Sequence, residues 1–279
     1  MTTHEHNVQR FYDSATDCYQ AIMGDHWHHG DPDALAVGLG RHRSCQVILE
    51  RVVTLTGLRR GGKAVDFGSG IGGPTLHMAR FSGASFTGVN NNDRQNVLAR
   101  KKAAEADLSD RVAFLTIDDL GYKSLPFEEA SLDAVTFVES VCHLTDKAAF
   151  FREVRRVLKP GGRLGGIDWI QRPFGEHQRD DQIMRFMGPV NDLIAIPWHG
   201  TVEGYAGMMR DAGLDVFIAR DLFPGVLCWS SPQEEQRPHW TSYAGPEGKR
   251  FQDGDAALVA ACKAGVFSVG MWVAGKDAN

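Results

Sequence analysis

Cysteine is scarce: Cys18, Cys45, Cys142, Cys228 and Cys262 are five in 279 residues, an odd number that never falls in a CxxC pair. Neither a disulfide framework nor a thiolate zinc site is suggested, and reduced thiols are expected. No stretch approaches the roughly 18 to 20 consecutive apolar residues of a membrane span. The opening residues, Met1 to Arg10, are polar where a signal peptide is apolar. The expected location is therefore the cytoplasm. Positive charge is not in excess either, since 30 Lys and Arg face 35 Asp and Glu for a net charge of −5. With no basic stripe to meet a phosphate backbone, nucleic acid is not an expected partner. Internal repeats, a Gly-Lys-Ser/Thr phosphate loop and an HExxH pair are all missing, so neither a P-loop nucleotide site nor a helix-borne metal site is indicated.

What is present is a chain that is 43% hydrophobic and 23% charged, the balance of a folded domain. From Lys63 onward apolar runs alternate with helical patterns. Ala64 to Phe67, Ser85 to Val89, Val112 to Thr116 and Leu132 to Val138 read as strands, and Gly72 to Arg80, Asp93 to Ala106 and Asp146 to Leu158 as helices. A strand follows the Lys159-Pro160-Gly161-Gly162 turn, and two late strands are expected near Leu214 to Ala219 and Val266 to Ala274. Such alternation makes an α/β fold with a mostly parallel sheet covered on both faces. Residues 1–62 form a helical N-terminal lid segment, and residues 63–279 form the core, with a helical insertion at about 172–212. The lid segments are placed over the sheet.

The strongest local signal is Val65-Asp66-Phe67-Gly68-Ser69-Gly70-Ile71-Gly72-Gly73-Pro74, a glycine-rich turn between a strand and a helix, where small residues let the backbone approach a ligand. Alone it fits a dinucleotide site, another nucleoside site or a tight turn. The next strand ends in asparagines rather than the carboxylate that a dinucleotide ribose needs, which disfavours the first. Asp66 suits either the ammonium of a bound cofactor or a helix cap.

Gly88-Val89-Asn90-Asn91-Asn92-Asp93-Arg94-Gln95 resembles the Asn-Asn-Asn-Asp-x-Gln segment of the sterol 24-C-methyltransferase group, a rarer string than the glycine loop. Val138-Glu139-Ser140-Val141-Cys142-His143, Leu158-Lys159-Pro160-Gly161 and Asp168-Trp169 resemble further segments of the same group. So do Phe11-Tyr12-Asp13, Thr16-Asp17-Cys18-Tyr19 and Gly24 to Gly30 upstream. The resemblance runs from about Phe11 to Trp169 and implies a Rossmann-like class I methyltransferase with a seven-stranded sheet, using S-adenosylmethionine. It implies cofactor contacts from Asp66, Gly68, Ser69, Gly70, Asn90, Asn91, Gln95 and Glu139. The adenine falls to Asp118 or Asp119. As a plain motif, the asparagine cluster also fits a turn.

Within that group an alkene carbon attacks the methyl group and a carbocation follows, so the site needs negative charge and aromatic faces. Glu139, at the carboxyl end of the fourth strand, is the candidate stabiliser and base, and a structural ion pair with a nearby His or Arg is its alternative. His143 is the second candidate base. Tyr12, Tyr19, Trp27, His28, Trp169, Phe186 and Trp198 are the expected substrate wall, although any one aromatic can simply be core. His26, His28 and His29 cluster, but no ligand spacing makes them a metal site.

The acceptor is read as a small isoprenoid, either a prenyl diphosphate or a prenylated metabolite. A diphosphate would bring Mg2+ with it and call on Arg41, Arg43, Arg179 and Arg185 from the lid. Sterol C-methylation, O- or N-methylation of a small molecule, and a catalytically inactive cofactor-binding interaction protein are the alternatives. The helical arm ahead of the core also suits packing between identical subunits.

Overall fold

The computed structural model describes residues 3–118, 121–172, 180–229 and 246–278. Asp119 and Arg179 lie outside them. Three helices precede the sheet: α1 (Thr3–Met23), α2 (Pro32–Ala36) and α3 (Gly40–Thr56). Asp31 caps α2, accepting from the Asp33 and Ala34 amides, with Pro32 in the first turn where its missing N–H costs nothing.

The βα repeat follows as β1 (Lys63–Phe67), α4 (Gly73–Ser82), β2 (Ser85–Asn90), α5 (Asp93–Glu105), β3 (Val112–Thr116), β4 (Leu132–Val138), α6 (Lys147–Val157) and β5 (Leu158–Gln171). The chain then forms α7 (Asp180–Ile194), α8 (Val202–Asp211), β6 (Asp215–Asp221), α9 (Pro246–Lys263) and β7 (Phe267–Gly275). Asn92 and Asp146 cap α5 and α6 through their side chains, which is why both helices start one residue after a short polar residue. The Lys159-Pro160-Gly161-Gly162 turn does not precede β5 but lies inside it. The pairing jumps from Leu132↔Leu158 to Ala134↔Arg163, and Gly161 (φ 77°) lets the extra residues bulge out.

One seven-stranded sheet results, in the order β3-β2-β1-β4-β5-β7-β6. Pairing is parallel up to β5, and β7 runs antiparallel to both β5 and β6. Both faces are covered, so β7 is buried at all nine positions. One face packs Phe150, Phe151 and Val154 of α6 and Met209 of α8 on Val135 and Phe137. The other packs Ile48, Leu49 and Val52 of α3 and Met78 of α4 on Phe86 and Ile167. Each fully buried aromatic or aliphatic side chain of this kind contributes roughly 1.5 to 3 kcal/mol.

A third apolar cluster joins α1, α7 and α9 through Phe11, Ala15, Met187, Val190 and Leu258, with Cys142 and Phe267 from the strand ends beneath. It roofs the carboxyl edge of the sheet. The strand order reverses between β1 and β4, and at that edge an open α/β sheet leaves its crevice.

Candidate active site

The crevice is a cavity walled by the glycine loop, the ends of β2 and β4, Trp169 of β5, and the helical roof of α1, the end of α7 and α9. At the β1 end, Gly68, Gly70 and Gly72 all have left-handed φ, 73°, 52° and 85°. A Cβ on Gly68 would stand 2.2 Å from that of Ser140, so only glycine fits there. A Cβ on Gly70 meets nothing within 4 Å, because that position opens on the cavity. Ser69 Oγ, also on the wall, is buried with no protein partner. A backbone cradle with an unspent buried hydroxyl is the arrangement a nucleoside ligand fills.

Asp66 does not reach that wall. It is buried, its Oδ2 accepting from Thr75 Oγ1 at 2.5 Å and its Oδ1 from Thr136 Oγ1 at 3.0 Å, and burial raises its pKa to about 6 despite both bonds. Those two bonds brace the start of α4 against β4. Asn90, Asn91, Gln95 and Asp118 do line the cavity. Asn90 Nδ2 donates to Gln95 Oε1 at 2.8 Å and Gln95 Nε2 donates to Thr16 Oγ1 at 2.9 Å, so the amide chain ties β2 and α5 to the lid helix.

Glu139 follows β4 directly, with a left-handed φ of 50°, a conformation that costs a non-glycine residue on the order of 1 kcal/mol or more and persists only where its surroundings hold it. Three donors do so. Oε1 accepts from the His29 backbone N–H at 2.7 Å and from His29 Nδ1 at 2.9 Å, and Oε2 accepts from Trp169 Nε1 at 2.6 Å. Burial by itself would raise this carboxyl, yet the adjoining His29, through charge and hydrogen bonds, with His28 behind it, holds it below the ordinary value. Glu139 is thus an ionised carboxylate on an aromatic wall. His29 was visible only as one of three clustered histidines, and nothing in its spacing singled it out as the partner.

His143 also lines the cavity, in the short 3₁₀ turn after β4. Its Nδ1 faces the Ala195 carbonyl at 3.0 Å and its Nε2 faces Tyr12 Oη at 2.9 Å. A carbonyl can only accept, so the proton sits on Nδ1 and Nε2 accepts from the tyrosine hydroxyl. Burial pushes the imidazole down to about 4. His28 is fixed in the same way, Nδ1 donating to the His29 carbonyl at 2.8 Å, and burial brings it to about 4.

Tyr12, Tyr19, Trp27, His28 and Trp169 are brought together on the cavity wall, as expected, but Phe186 and Trp198 are not. Trp198 lies 3.9 Å from Lys147 Nζ, covering a buried ammonium that donates to three carbonyls, those of Cys142, Leu144 and Trp198 itself. Phe186 is half-buried against the roof cluster, beneath the Arg185 guanidinium. Of the cations expected for a diphosphate, Arg41, Arg43 and Arg185 are likewise off the wall, and Arg179 lies outside the described residues. Arg41 donates to the Met23, His26 and His28 carbonyls, and Arg43 pairs with Glu50 at 2.6 Å.

In their place α9, which sequence reading missed, supplies Arg250, Phe251, Asp255 and Leu258, and the segment before it supplies Trp229. The Ala256-Ala257-Leu258-Val259-Ala260-Ala261 run after Pro246 was the available signal for that helix. Among the described residues no group of His, Cys, Asp or Glu has the geometry of a metal site, and no helix is long and apolar enough to cross a membrane.

The family description "Methyltransferase domain" matches residues 65–165. Cycloartenol-C-24-methyltransferase 1 of Oryza sativa subsp. japonica is 33% identical over 243 residues, 85% of this chain and 67% of that protein. The 27-O-demethylrifamycin SV methyltransferase of Amycolatopsis mediterranei is 29% identical over 238 residues, 85% of this chain and 80% of that protein. Among solved structures, the [4+2]-cyclase SpnF superposes with a TM-score of 0.81 at 25% identity, over 99% of this chain and 97% of its own. The chain belongs to the class I S-adenosylmethionine-dependent methyltransferases, in the group that includes the sterol 24-C-methyltransferases. It is shorter than some of its sterol-methylating relatives and spans 54% of the length of one of them.

Proposed function

We propose that this protein transfers a methyl group to an alkene carbon of a small isoprenoid, with Glu139 stabilising the carbocation and removing its proton. The observation that carries this reading is an ionised carboxylate, braced by His29 and Trp169, on the wall of an aromatic cavity that is continuous with the glycine loop. S-adenosylmethionine supplies an electrophilic methyl group there, against Gly68, Ser69, Gly70 and the Asn90 to Gln95 segment.

A tertiary cation formed beside Glu139 meets a fixed negative charge on a wall that also carries the rings of Trp169, Tyr12 and Trp229. The pinned carboxylate needs no reorganisation to receive that charge. Loss of a proton from the adjacent carbon to Glu139 then restores a double bond. Among the described residues on the wall, Arg250 is the lone arginine or lysine, against Asp25, Asp118, Glu139 and Asp255. That balance supports a prenylated metabolite over a prenyl diphosphate.

A second reading is O-methylation, favoured by the Tyr12–His143 pair, which presents a hydroxyl oxygen backed by a neutral imidazole to the cavity. The relative acting on 27-O-demethylrifamycin SV is consistent with it. The deciding assay is mass spectrometry of purified protein with S-adenosylmethionine against a prenylated indole, a sterol, a phenol, and isopentenyl, geranyl and farnesyl diphosphates, with and without Mg2+. One added methyl on an alkene carbon supports the first reading. Turnover confined to hydroxyl acceptors overturns it in favour of the second.

A further inference from the structure

Two of the five cysteines stand together where neither the methyl-transfer chemistry nor the cofactor cradle uses them. Cys228 Sγ and Cys262 Sγ are 3.5 Å apart, two thiols in contact. They belong to different elements, Cys228 to the segment that leaves β6 and Cys262 to the last turn of α9. Both elements build the acceptor wall. Trp229, the neighbour of Cys228, lies on the cavity, with its ring 5.3 Å from that of His29 and its Nε1 donating to Asp255 Oδ1 of α9 at 2.8 Å. Leu258, one turn before Cys262, lies on the same wall. The other three cysteines are buried singly.

We infer that Cys228 and Cys262 form an oxidisable pair whose disulfide fastens the Trp229 segment to α9 and fixes that wall of the cavity. The two thiols share one hydrogen bond in which either can donate, and Cys228 is the more exposed of the two. With hydrogen peroxide as oxidant, one thiol attacks one peroxide oxygen, the O–O bond breaks, and a sulfenic acid and one water result. The other sulfur then attacks the sulfenic sulfur, the S–O bond breaks, and a second water leaves with that thiol's proton. Two thiols are oxidised and one peroxide is reduced to two waters. Closing the sulfurs from contact distance to a bond of about 2.05 Å moves the elements by little more than an ångström.

The inference goes beyond the proposed reaction, and its test needs neither methyl donor nor acceptor. The full-length protein is treated with hydrogen peroxide, its remaining thiols are alkylated, and it is digested with trypsin without reductant. Cleavage after Arg220, Lys249, Arg250 and Lys263 leaves Cys228 in 221–249 and Cys262 in 251–263. The expected result is a cross-linked 221–249/251–263 species that dithiothreitol dissolves, with Cys18, Cys45 and Cys142 still alkylated. In each single variant, Cys228→Ser or Cys262→Ser, the cross-link is lost and the sulfenic acid on the remaining cysteine persists and is trapped by dimedone. Amide hydrogen exchange in α9 is expected to slow on oxidation and recover on reduction. Oxidation spread evenly over all five cysteines, or sulfinic acid at Cys262 without any cross-link in the unaltered protein, overturns the inference.

Discussion

Trp169 Nε1 donates to Glu139 Oε2 at 2.6 Å while His29 holds the opposite oxygen, so the carboxylate is gripped from β5 and from the N-terminal segment at once. Every group that touches it is a donor, and it is the acceptor in each bond.

Glu139→Gln therefore sets an amide NH2 against N–H groups that now donate to the carboxylate, and removes the negative charge. Turnover on an alkene acceptor is expected to fall by on the order of 10² to 10⁴, the usual contribution of a positioned acid or base. The lost acceptor costs about 1 to 3 kcal/mol of stability. Mass-spectrometric turnover beside a urea melt checks both, and retained turnover removes Glu139 from the chemistry.

The glycine loop separates two kinds of substitution. Gly70→Ala keeps the fold at a cost of about 1 to 2 kcal/mol for a left-handed alanine, because its Cβ meets nothing within 4 Å, but the new methyl projects into the cradle. Gly68→Ala drives its Cβ to 2.2 Å from Ser140 Cβ and is expected to unfold the loop. Calorimetric titration with S-adenosylhomocysteine, read against thermal melts, should show weakened binding with an intact melt for the first, and loss of both for the second.

Tyr12→Phe removes the donor to His143 Nε2 and nothing else from the wall. Under alkene methylation, turnover changes by less than about tenfold, since no acceptor proton has to be taken before attack. A fall of a hundredfold or more, with a steep rise in rate above neutral pH, would instead mark the hydroxyl as part of a proton path for O-methylation.

Acid is expected to weaken the fold. Burial pushes His26 and His199 down to about 3 and His28 and His143 to about 4. Between pH values of roughly 6.5 and 4 the unfolded chain binds those protons and the folded one does not, so stability is full above that window and drops as pH falls through it. Asp66 and Asp168 act the other way, burial having raised them to about 6 and about 7, and they hold protons in the folded state across the same range. Four histidines outweigh two acids, leaving a slope on the order of 2 to 3 kcal/mol per pH unit at its steepest. Urea unfolding at pH 7.5, 6 and 5 measures it, and a flat profile contradicts the neutral, buried histidines.

The sheet was legible because its strands carry near-continuous apolar runs punctuated by glycine and proline, and β3 and β4 were bounded to the residue. The glycine loop and the Asn90 to Gln95 segment were legible because backbone approach and amide pairing require particular residue types at fixed spacing. The roof was harder. α9 begins at Pro246 and carries Gly248 and Gly254, so local propensity argues against it, and its packing on α7, β7 and α1 stabilises it. Asp66 and Trp198 read as site residues because their types suit the chemistry. The hydroxyls of Thr75 and Thr136 and the ammonium of Lys147 claim them in three dimensions, and no one-dimensional pattern records those partners.

The place of β7 between β5 and β6 bears on how the chain is made. A ribosome extrudes β5 and then β6 long before Phe267 to Gly275 emerges, and neither of the earlier strands can pair with the other without it. During synthesis the nascent domain therefore carries two strand edges with unpaired backbone groups, and these wait on the last strand of the sheet to be translated. Until it arrives, either edge can pair with a strand from another chain.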